Sequence, residues 1–170
     1  MFQEYTSKDT SINTVNAIYK KGYFKEGDEI LDFGGGKYDS NIEYLAEMGI
    51  KCFVYDPYNR SYIHNKTVIN YFREKQGAEI IVCANVLCVI KEDEIIFDIL
   101  EKIRSIVSKK VGSKIYIQIY EGDKSGVGKL TSKGFQRNEK SVEYYKFISM
   151  TFDDIADIKR KGNIYEITLR

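Results

Sequence analysis

Long apolar runs and proline are scarce in this 170-residue sequence, and its start carries no recognisable leader. No run approaches the roughly 20 apolar residues that a membrane-spanning helix needs, so we expect no membrane partner. The first ten residues, MFQEYTSKDT, lack the basic start and apolar core of a secretory signal, which favours the cytoplasm. Proline occurs once, at Pro57, and no linker-like stretch interrupts the chain. We therefore expect one domain over residues 1–170.

Charge of either sign is not in excess either. The sequence has 26 Lys and Arg against 25 Asp and Glu, so its formal net charge is +1. Nucleic-acid-binding domains usually carry a clear basic excess, which makes nucleic acid a possible partner but not a favoured one. The short basic clusters Lys109–Lys110 and Lys159–Lys161 are typical of a solvated surface.

Cysteine and histidine are too few, and too widely spaced, to indicate a metal site. Cys52, Cys83 and Cys88 each lie in an apolar run, and none forms a close pair with zinc-ligand spacing. We expect all three to be buried small residues in a reducing compartment. The single histidine, His64, is more typical of a surface or capping residue than of a catalytic base.

Apolar periodicity alternates between extended and helical along the chain. Buried strands are predicted over residues 29–33, 51–56, 78–86 and 113–122. Helices are predicted over 11–22 with Ser11 as cap, 39–49, 65–77 with Asn65 as cap, 91–112 and 138–149. Two final strands flank a turn at Gly162–Asn163, which is a hairpin signal.

This alternation predicts an α/β fold. Its single doubly wound, mostly parallel sheet would have helices on both faces and a C-terminal antiparallel hairpin. In such sheets ligands bind outside the carboxyl ends of the strands, near the point where strand order reverses. The candidate functional residues are therefore those that directly follow each strand.

The stretch ILDFGGGKYDSN, residues 30–41, places three glycines after a buried strand. A dinucleotide fingerprint, G-x-G-x-x-G, needs a small residue where Asp39 stands. A carboxylate near a helix N-terminus would repel a pyrophosphate, yet it caps the helix and tolerates a cationic or zwitterionic ligand. Nicotinamide and flavin dinucleotides are therefore disfavoured.

The glycine-rich turn instead resembles the first motif of the class I S-adenosylmethionine-dependent methyltransferases, acidic-x-Gly-x-Gly. In this sequence the motif begins at Asp32 and contains Gly34, Gly35 and Gly36. The resemblance implies that this turn, with the adjoining Lys37, binds the cofactor S-adenosyl-L-methionine. Glycines would let the backbone approach the cofactor closely, because a Cβ would collide with it.

The resemblance continues after the next two strands. In VYDPYNR, it implies that Asp56 accepts both ribose hydroxyls and that Pro57 and Tyr58 line the adenine. In CANVLCVIKEDE, it implies cofactor contacts from Asn85 and Val86. More narrowly, DPYNR, NVLCVI and GKLTSKGFQRN resemble short methyltransferase-like proteins of phages and DNA-modification gene neighbourhoods, which implies no established substrate.

Methyl transfer is an in-line displacement at a sulfonium, so the enzyme mostly supplies proximity and alignment. A base is needed only where the nucleophile must lose a proton. Asn85 is a candidate catalytic residue, and a strand-end role bonding nearby backbone is an equal alternative. Glu121 and Asp123, in YEGDKSGVG, follow the strand predicted over 113–122 and are candidates for a base or acceptor ligand. Their alternative is a plain acidic loop.

Missing signatures narrow the acceptor. Asn85 is not followed by the two prolines and aromatic residue that DNA amino-methyltransferases carry, and neither Cys83 nor Cys88 follows a proline, as pyrimidine C5 chemistry would suggest. The predicted core uses most of the chain, so no target-recognition domain remains. The acceptor is then a small molecule, or an unknown macromolecule recognised through a partner, the N-terminal helix or the loop over 121–137. We also expect residues 121–134 to form a mobile lid.

Three functions fit these patterns. The first is an S-adenosylmethionine-binding methyltransferase with a small or unidentified acceptor. The second is a non-catalytic protein of the same fold that binds the cofactor or a partner protein, and the third is a nucleic-acid methyltransferase. The sequence leaves the oligomeric state open.

Overall fold

The computed structural model of the protein describes residues 13–170, so the expected cap Ser11 lies outside the described residues. Strands within that range are β1 Glu29–Phe33, β2 Lys51–Tyr55, β3 Ile80–Ala84, β4 Lys114–Gln118, β5 Lys129–Thr131, β6 Gly134–Gln136, β7 Ala156–Lys161 and β8 Ile164–Leu169. The α-helices are α1 Ser40–Glu47, α2 Tyr62–Glu74, α3 Asp93–Ile106 and α4 Tyr145–Phe152. Short 3₁₀ helices span Ala17–Lys20, Leu87–Val89 and Ser141–Tyr144.

Six strands form one mixed sheet in the order β2-β1-β3-β4-β8-β7. β1 runs parallel to both β2 and β3, and β3 runs parallel to β4. β8 is antiparallel to β4 and pairs with β7 as the expected hairpin, which turns at Gly162. The predicted α/β class, with its mostly parallel sheet and terminal hairpin, is confirmed. Strand order reverses between β1 and β3, so the carboxyl ends of these strands frame the expected ligand position.

Each face of the sheet carries its own apolar core, which explains the nearly continuous apolar runs of the central strands. On one face, Ile81 and Cys83 of β3 pack with α2, α3 and α4. On the other, Val82 packs with Leu45 of α1 and with Ile18 of the first 3₁₀ helix. All three cysteines are buried as expected, and burial raises the pKa of Cys88 to about 11.

Several predicted element boundaries are wrong, and each has a local cause. The helix expected over 11–22 is, within the described residues, only the 3₁₀ helix Ala17–Lys20, capped by the side chain of Asn16. The helix expected from Asn65 starts earlier, because the Ser61 hydroxyl accepts the amide of His64 at 3.1 Å. The helix expected over 91–112 ends at Ile106, where the chain turns extended.

Strand ends and the later helix differ in the same way. The strand expected over 78–86 stops at Ala84 because Asn85 adopts a left-handed conformation with φ 61°. The strand expected over 113–122 stops at Gln118, and the helix expected over 138–149 is a 3₁₀ turn followed by α4. Within residues 13–170, no helix has the length and apolar character needed to cross a membrane.

Candidate functional site

A pocket opens at the carboxyl ends of β1, β2 and β3, where strand order reverses. Its walls come from residues 32–36 at the end of β1 and beyond, 56–59 after β2 and 84–86 at the end of β3 and beyond. The side chains of Ile95 and Ile99 on α3 complete an apolar wall. Three separate sequence motifs therefore meet at one cavity, as the parallel arrangement of these strands requires.

The glycine-rich turn is shaped by close contacts inside the protein. Gly34 has φ +83°, and a Cβ built there would lie 2.4 Å from Cγ2 of Val86. A Cβ on Gly35 would lie 2.7 Å from the carboxylate of Asp32. Any larger residue would push the turn away from its neighbours. The glycines thus hold the loops after β1 and β3 together at the floor of the pocket.

Asp32 lines this pocket and is almost fully buried, at 2% exposure. The Nδ2 amide of Asn41 lies 3.4 Å from its Oδ2 atom. Burial raises the pKa of the Asp32 carboxyl from its ordinary value of 3.8 to about 6. A cationic group in the pocket would favour the ionised form of this acid.

Asp32→Asn is expected to raise the free energy of unfolding at neutral pH. In the native state the carboxyl ionises near pH 6, whereas its ordinary value is 3.8, so ionisation progressively destabilises the native state as pH rises between these values. Below about pH 3 the acid is mostly protonated in both states, and above about pH 7 the asparagine variant should gain roughly 3 kcal/mol. Denaturant unfolding of both proteins across this range checks the prediction. A gain that is independent of pH would contradict it.

The carboxylate of Asp56 is fully engaged by the surrounding loops. Its Oδ1 accepts the amides of Tyr58 at 3.0 Å and Asn59 at 3.1 Å. Its Oδ2 accepts the Gly36 amide at 2.8 Å and the side-chain Nδ2 of Asn59 at 3.2 Å. A carboxylate offers about four acceptor positions, so a ribose hydroxyl would have to replace one of these donors. The Asn59 side chain is the one donor of the four that can rotate away without moving backbone.

The backbone of Asp56 is fixed by Asn65. The Asp56 amide donates to Oδ1 of Asn65 at 2.9 Å, and Nδ2 of Asn65 donates to the Asp56 carbonyl at the same distance. Asn65 is therefore a buried partner of the strand end rather than the helix cap that the sequence suggested. His64 is half-buried beside it, where its Nε2 lies 2.7 Å from the carbonyl oxygen of Val54 on the edge strand β2.

Arg60 was not singled out from the sequence, yet it joins two walls of the pocket. Its Nε donates to the Gly36 carbonyl at 2.8 Å and its Nη2 to the Tyr38 carbonyl at 2.9 Å. Its Nη1 also pairs with Asp39 at 2.8 Å. Asp39 makes no side-chain bond to the α1 amides, so its expected capping role is wrong. The pairing also weakens the argument that this acid would repel a phosphate.

Other predicted cofactor residues divide into those inside the pocket and one beside it. Pro57, Tyr58 and Val86 line the cavity. Asn85 lines it too, and its Oδ1 accepts a hydrogen bond at 3.1 Å from Nε2 of Gln118, a side chain of the neighbouring strand rather than the nearby backbone that the alternative expected. Among the described residues Lys37 is not part of the lining, and its Nζ lies 5.3 Å from the centre of the Tyr38 ring.

The structure does not bring Glu121 and Asp123 to the pocket, which corrects their placement as catalytic candidates. Oε2 of Glu121 accepts the backbone amide of Ser141 at 2.7 Å. Asp123 accepts the Ser125 amide at 2.9 Å and pairs with Lys129 at 3.3 Å, and its hydrogen bonds with Ser125 are the main reason that its pKa is lowered to about 2. The positions of both acids therefore agree with the alternative reading, in which they belong to a plain acidic loop.

The segment expected to form a lid, residues 121–134, also lies outside the pocket lining. In the described part of the chain, no residue of 121–134 lines the pocket. Asn138 instead fastens the start of the loop, because its Oδ1 lies 3.4 Å from the Asp123 amide and its Nδ2 donates to the Val127 carbonyl at 3.0 Å. The loop continues into the β5–β6 hairpin, in which β5 is exposed and β6 is half-buried.

No family model and no curated protein matches the chain, whereas solved structures match its fold. A SAM-dependent methyltransferase from Aquifex aeolicus aligns with a TM-score of 0.54 and 14% identity over 90% of this chain and 87% of that one. A SAM-dependent methyltransferase from Methanosarcina mazei gives 0.54 and 12% over 92% and 97%. Phosphoethanolamine N-methyltransferase 2 of Haemonchus contortus, in complex with S-adenosyl-L-methionine, gives 0.51 and 16% over 84% and 36%. The chain therefore has the class I methyltransferase fold that its motifs resemble.

Proposed function

We propose that this protein binds S-adenosyl-L-methionine in the pocket at the ends of β1, β2 and β3 and transfers its methyl group to an acceptor. One observation carries the proposal: the glycine-rich turn, Asp56 and Asn85–Val86 line a single cavity in a chain of this fold. The fold alone would not carry it, because one fold hosts many activities.

The lining fits this ligand. Two buried carboxylates, Asp32 and Asp56, suit a molecule that bears an ammonium, a sulfonium and a ribose diol. The apolar side chains of Val86, Ile95 and Ile99 suit an adenine ring. The glycine turn leaves backbone, without side chains, facing the cavity.

Bound S-adenosyl-L-methionine would supply an electrophilic methyl group that an aligned nucleophile can attack. The chain's own contribution is then to bind and orient. Asn85 is positioned by its bonds to Gln118, and its left-handed backbone is the kind of local strain that accompanies functional sites. Among the described lining residues the only acids are Asp32 and Asp56, so the site favours an acceptor that reacts without a dedicated base.

Isothermal titration with S-adenosylhomocysteine and S-adenosyl-L-methionine tests the cofactor assignment. Saturable binding of both with one equivalent per chain is expected, while NAD should not compete. A folded protein that binds neither ligand would refute the proposal. Binding without methyl transfer to any small-molecule or macromolecular acceptor would favour the non-catalytic alternative. That alternative is supported by the positions of Glu121 and Asp123, which lie outside the pocket.

Hydrogen exchange is expected to locate the same site. S-adenosylhomocysteine should slow amide exchange in residues 34–41, 56–60 and 85–90, because these segments form the cavity walls. Exchange in residues 123–136 should stay unchanged, since the described part of that segment does not line the cavity. Protection of 123–136 with no change in the three wall segments would restore the lid hypothesis and move the site.

A further inference from the structure

Exposed aromatic side chains lie in the two chain segments that adjoin the proposed cofactor pocket, after residue 36 and after residue 56. Tyr62 and Ile63, in the first turn of α2, are 77% and 76% exposed. Tyr38 and Tyr58 are also exposed, and Tyr58 itself lines the pocket. Several large exposed aromatic side chains in the segments that adjoin one site call for an explanation that single scattered ones do not.

Arg60 connects the segment that contains Tyr38 to the segment that contains Tyr58. Its guanidinium bonds to the carbonyls of Gly36 and Tyr38 while its backbone belongs to the turn that leads into α2. The Tyr38 and Tyr58 segments are thereby held together. A preorganised surface of this kind loses little conformational freedom when it binds a partner.

Positive and negative residues are separated along this part of the sequence, although the net charge of the chain is close to zero. Residues 57–73 contain three Lys and Arg and no Asp or Glu, whereas residues 91–101 contain five acids and one lysine. The acid that borders the surface, Asp39, pairs with Arg60. Lys66 lies one helical turn after Tyr62, with its Nζ 6.0 Å from the centre of that ring. Because Arg60 pairs with Asp39, Lys66 carries the remaining positive charge of residues 57–66, a segment that contains no Asp or Glu.

We propose that this aromatic–basic surface, formed by Tyr38 and by residues 57–66, binds single-stranded nucleic acid next to the pocket. Unpaired bases stack on aromatic rings without regard to sequence, and the Lys66 ammonium attracts a backbone phosphate. Duplex nucleic acid fits less well, because its bases are stacked on one another and cannot reach the rings. The proposal deepens the proposed function by naming the class of macromolecule that reaches the site. Binding of the strand does not depend on that function, but its interpretation as acceptor binding rests on it.

Fluorescence anisotropy with labelled oligothymidylate and oligouridylate of about 12 nucleotides tests the binding in the absence of cofactor. Single strands should bind, and affinity should fall about two- to threefold between about 50 and 200 mM salt, as expected for one phosphate contact. The two oligonucleotides separate a DNA preference from an RNA preference. A matching duplex should bind more weakly than either.

Variants assign the binding to this surface. Tyr62→Ala and Lys66→Glu should each weaken it about tenfold, and both positions are exposed, so the fold should be unaffected. The matched controls are Tyr145→Ala, at a tyrosine that is 51% exposed on α4, and Lys109→Glu after α3, which should stay within about twofold.

Three results would overturn the proposal: no binding of either single strand at low salt, tighter binding of the duplex, or equal losses in the control variants. Titration of S-adenosylhomocysteine into the same proteins keeps the two proposals apart. Failure of cofactor binding with intact oligonucleotide binding refutes the pocket assignment alone. The reverse result refutes this surface alone.

Discussion

Gly34→Ala is expected to abolish binding of S-adenosylhomocysteine at ligand concentrations that saturate the parent protein. The residue has φ +83°, and an added Cβ would lie 2.4 Å from Cγ2 of Val86. Real Cβ atoms do not approach so closely, so either the Val86 side chain must shift or the loops after β1 and β3 must separate. Since Val86 and both loops line the cavity, either movement changes the shape of the floor on which the ligand would rest. Isothermal titration measures the loss.

The matched control is Gly27→Ala. Gly27 has φ +90° and no atom within 4 Å of an added Cβ, so it shares the backbone strain without the contact. Each alanine should lower the free energy of unfolding by about 1–2 kcal/mol through its left-handed backbone alone, but only Gly34→Ala should lose the ligand. Equal binding by Gly34→Ala and the parent would refute the site. Full recovery of binding in Gly34→Ala with Val86→Ala would show that the glycine serves loop packing rather than the ligand.

The sequence was sufficient for the strands of the six-stranded sheet, because burial on both faces of a parallel sheet leaves apolar runs that local periodicity detects. It did not predict the short β5–β6 hairpin, which lies where a loop was expected. It was also sufficient for the meeting of three motifs, since the carboxyl ends of parallel strands share one edge. Gly34, Asp56 and Asn85 are each the first or second residue after a strand, and all three reach the pocket.

Contacts between residues distant in sequence could not be predicted in the same way. Asn65 is a good capping residue by type, but its bonds to Asp56 depend on the packing of α2 beside the edge strand. Arg60 belongs to the quoted motif, yet nothing local indicates that it reaches Gly36. Glu121 also follows the end of a strand of the same sheet, but its side chain turns to Ser141 rather than to the cavity.

Asp56→Asn is expected to weaken the binding of S-adenosylhomocysteine at least about tenfold. It should also lower the free energy of unfolding by about 1–3 kcal/mol. The substitution keeps the shape but removes the charge and replaces an acceptor oxygen with an NH₂ group. That group then faces either the Gly36 amide or the amides of Tyr58 and Asn59, which lose their acceptor. Titration calorimetry and denaturant unfolding measure the two effects.

The loss of binding alone does not separate a ribose contact from a distorted loop, because Asp56 also builds the pocket wall. Asn59→Ala makes that separation. Nδ2 of Asn59 donates a hydrogen bond to Oδ2 of Asp56 at 3.2 Å. Removing this donor leaves Oδ2 free to accept a ribose hydroxyl, while the three backbone donors to Asp56 stay in place. If Asp56 accepts the ribose, Asn59→Ala should bind S-adenosylhomocysteine as tightly as the parent or a few-fold more tightly, and this benefit should vanish in the Asp56→Asn background. A loss in Asn59→Ala as large as that in Asp56→Asn would instead assign the ligand contact to the amide of Asn59, with Asp56 orienting it.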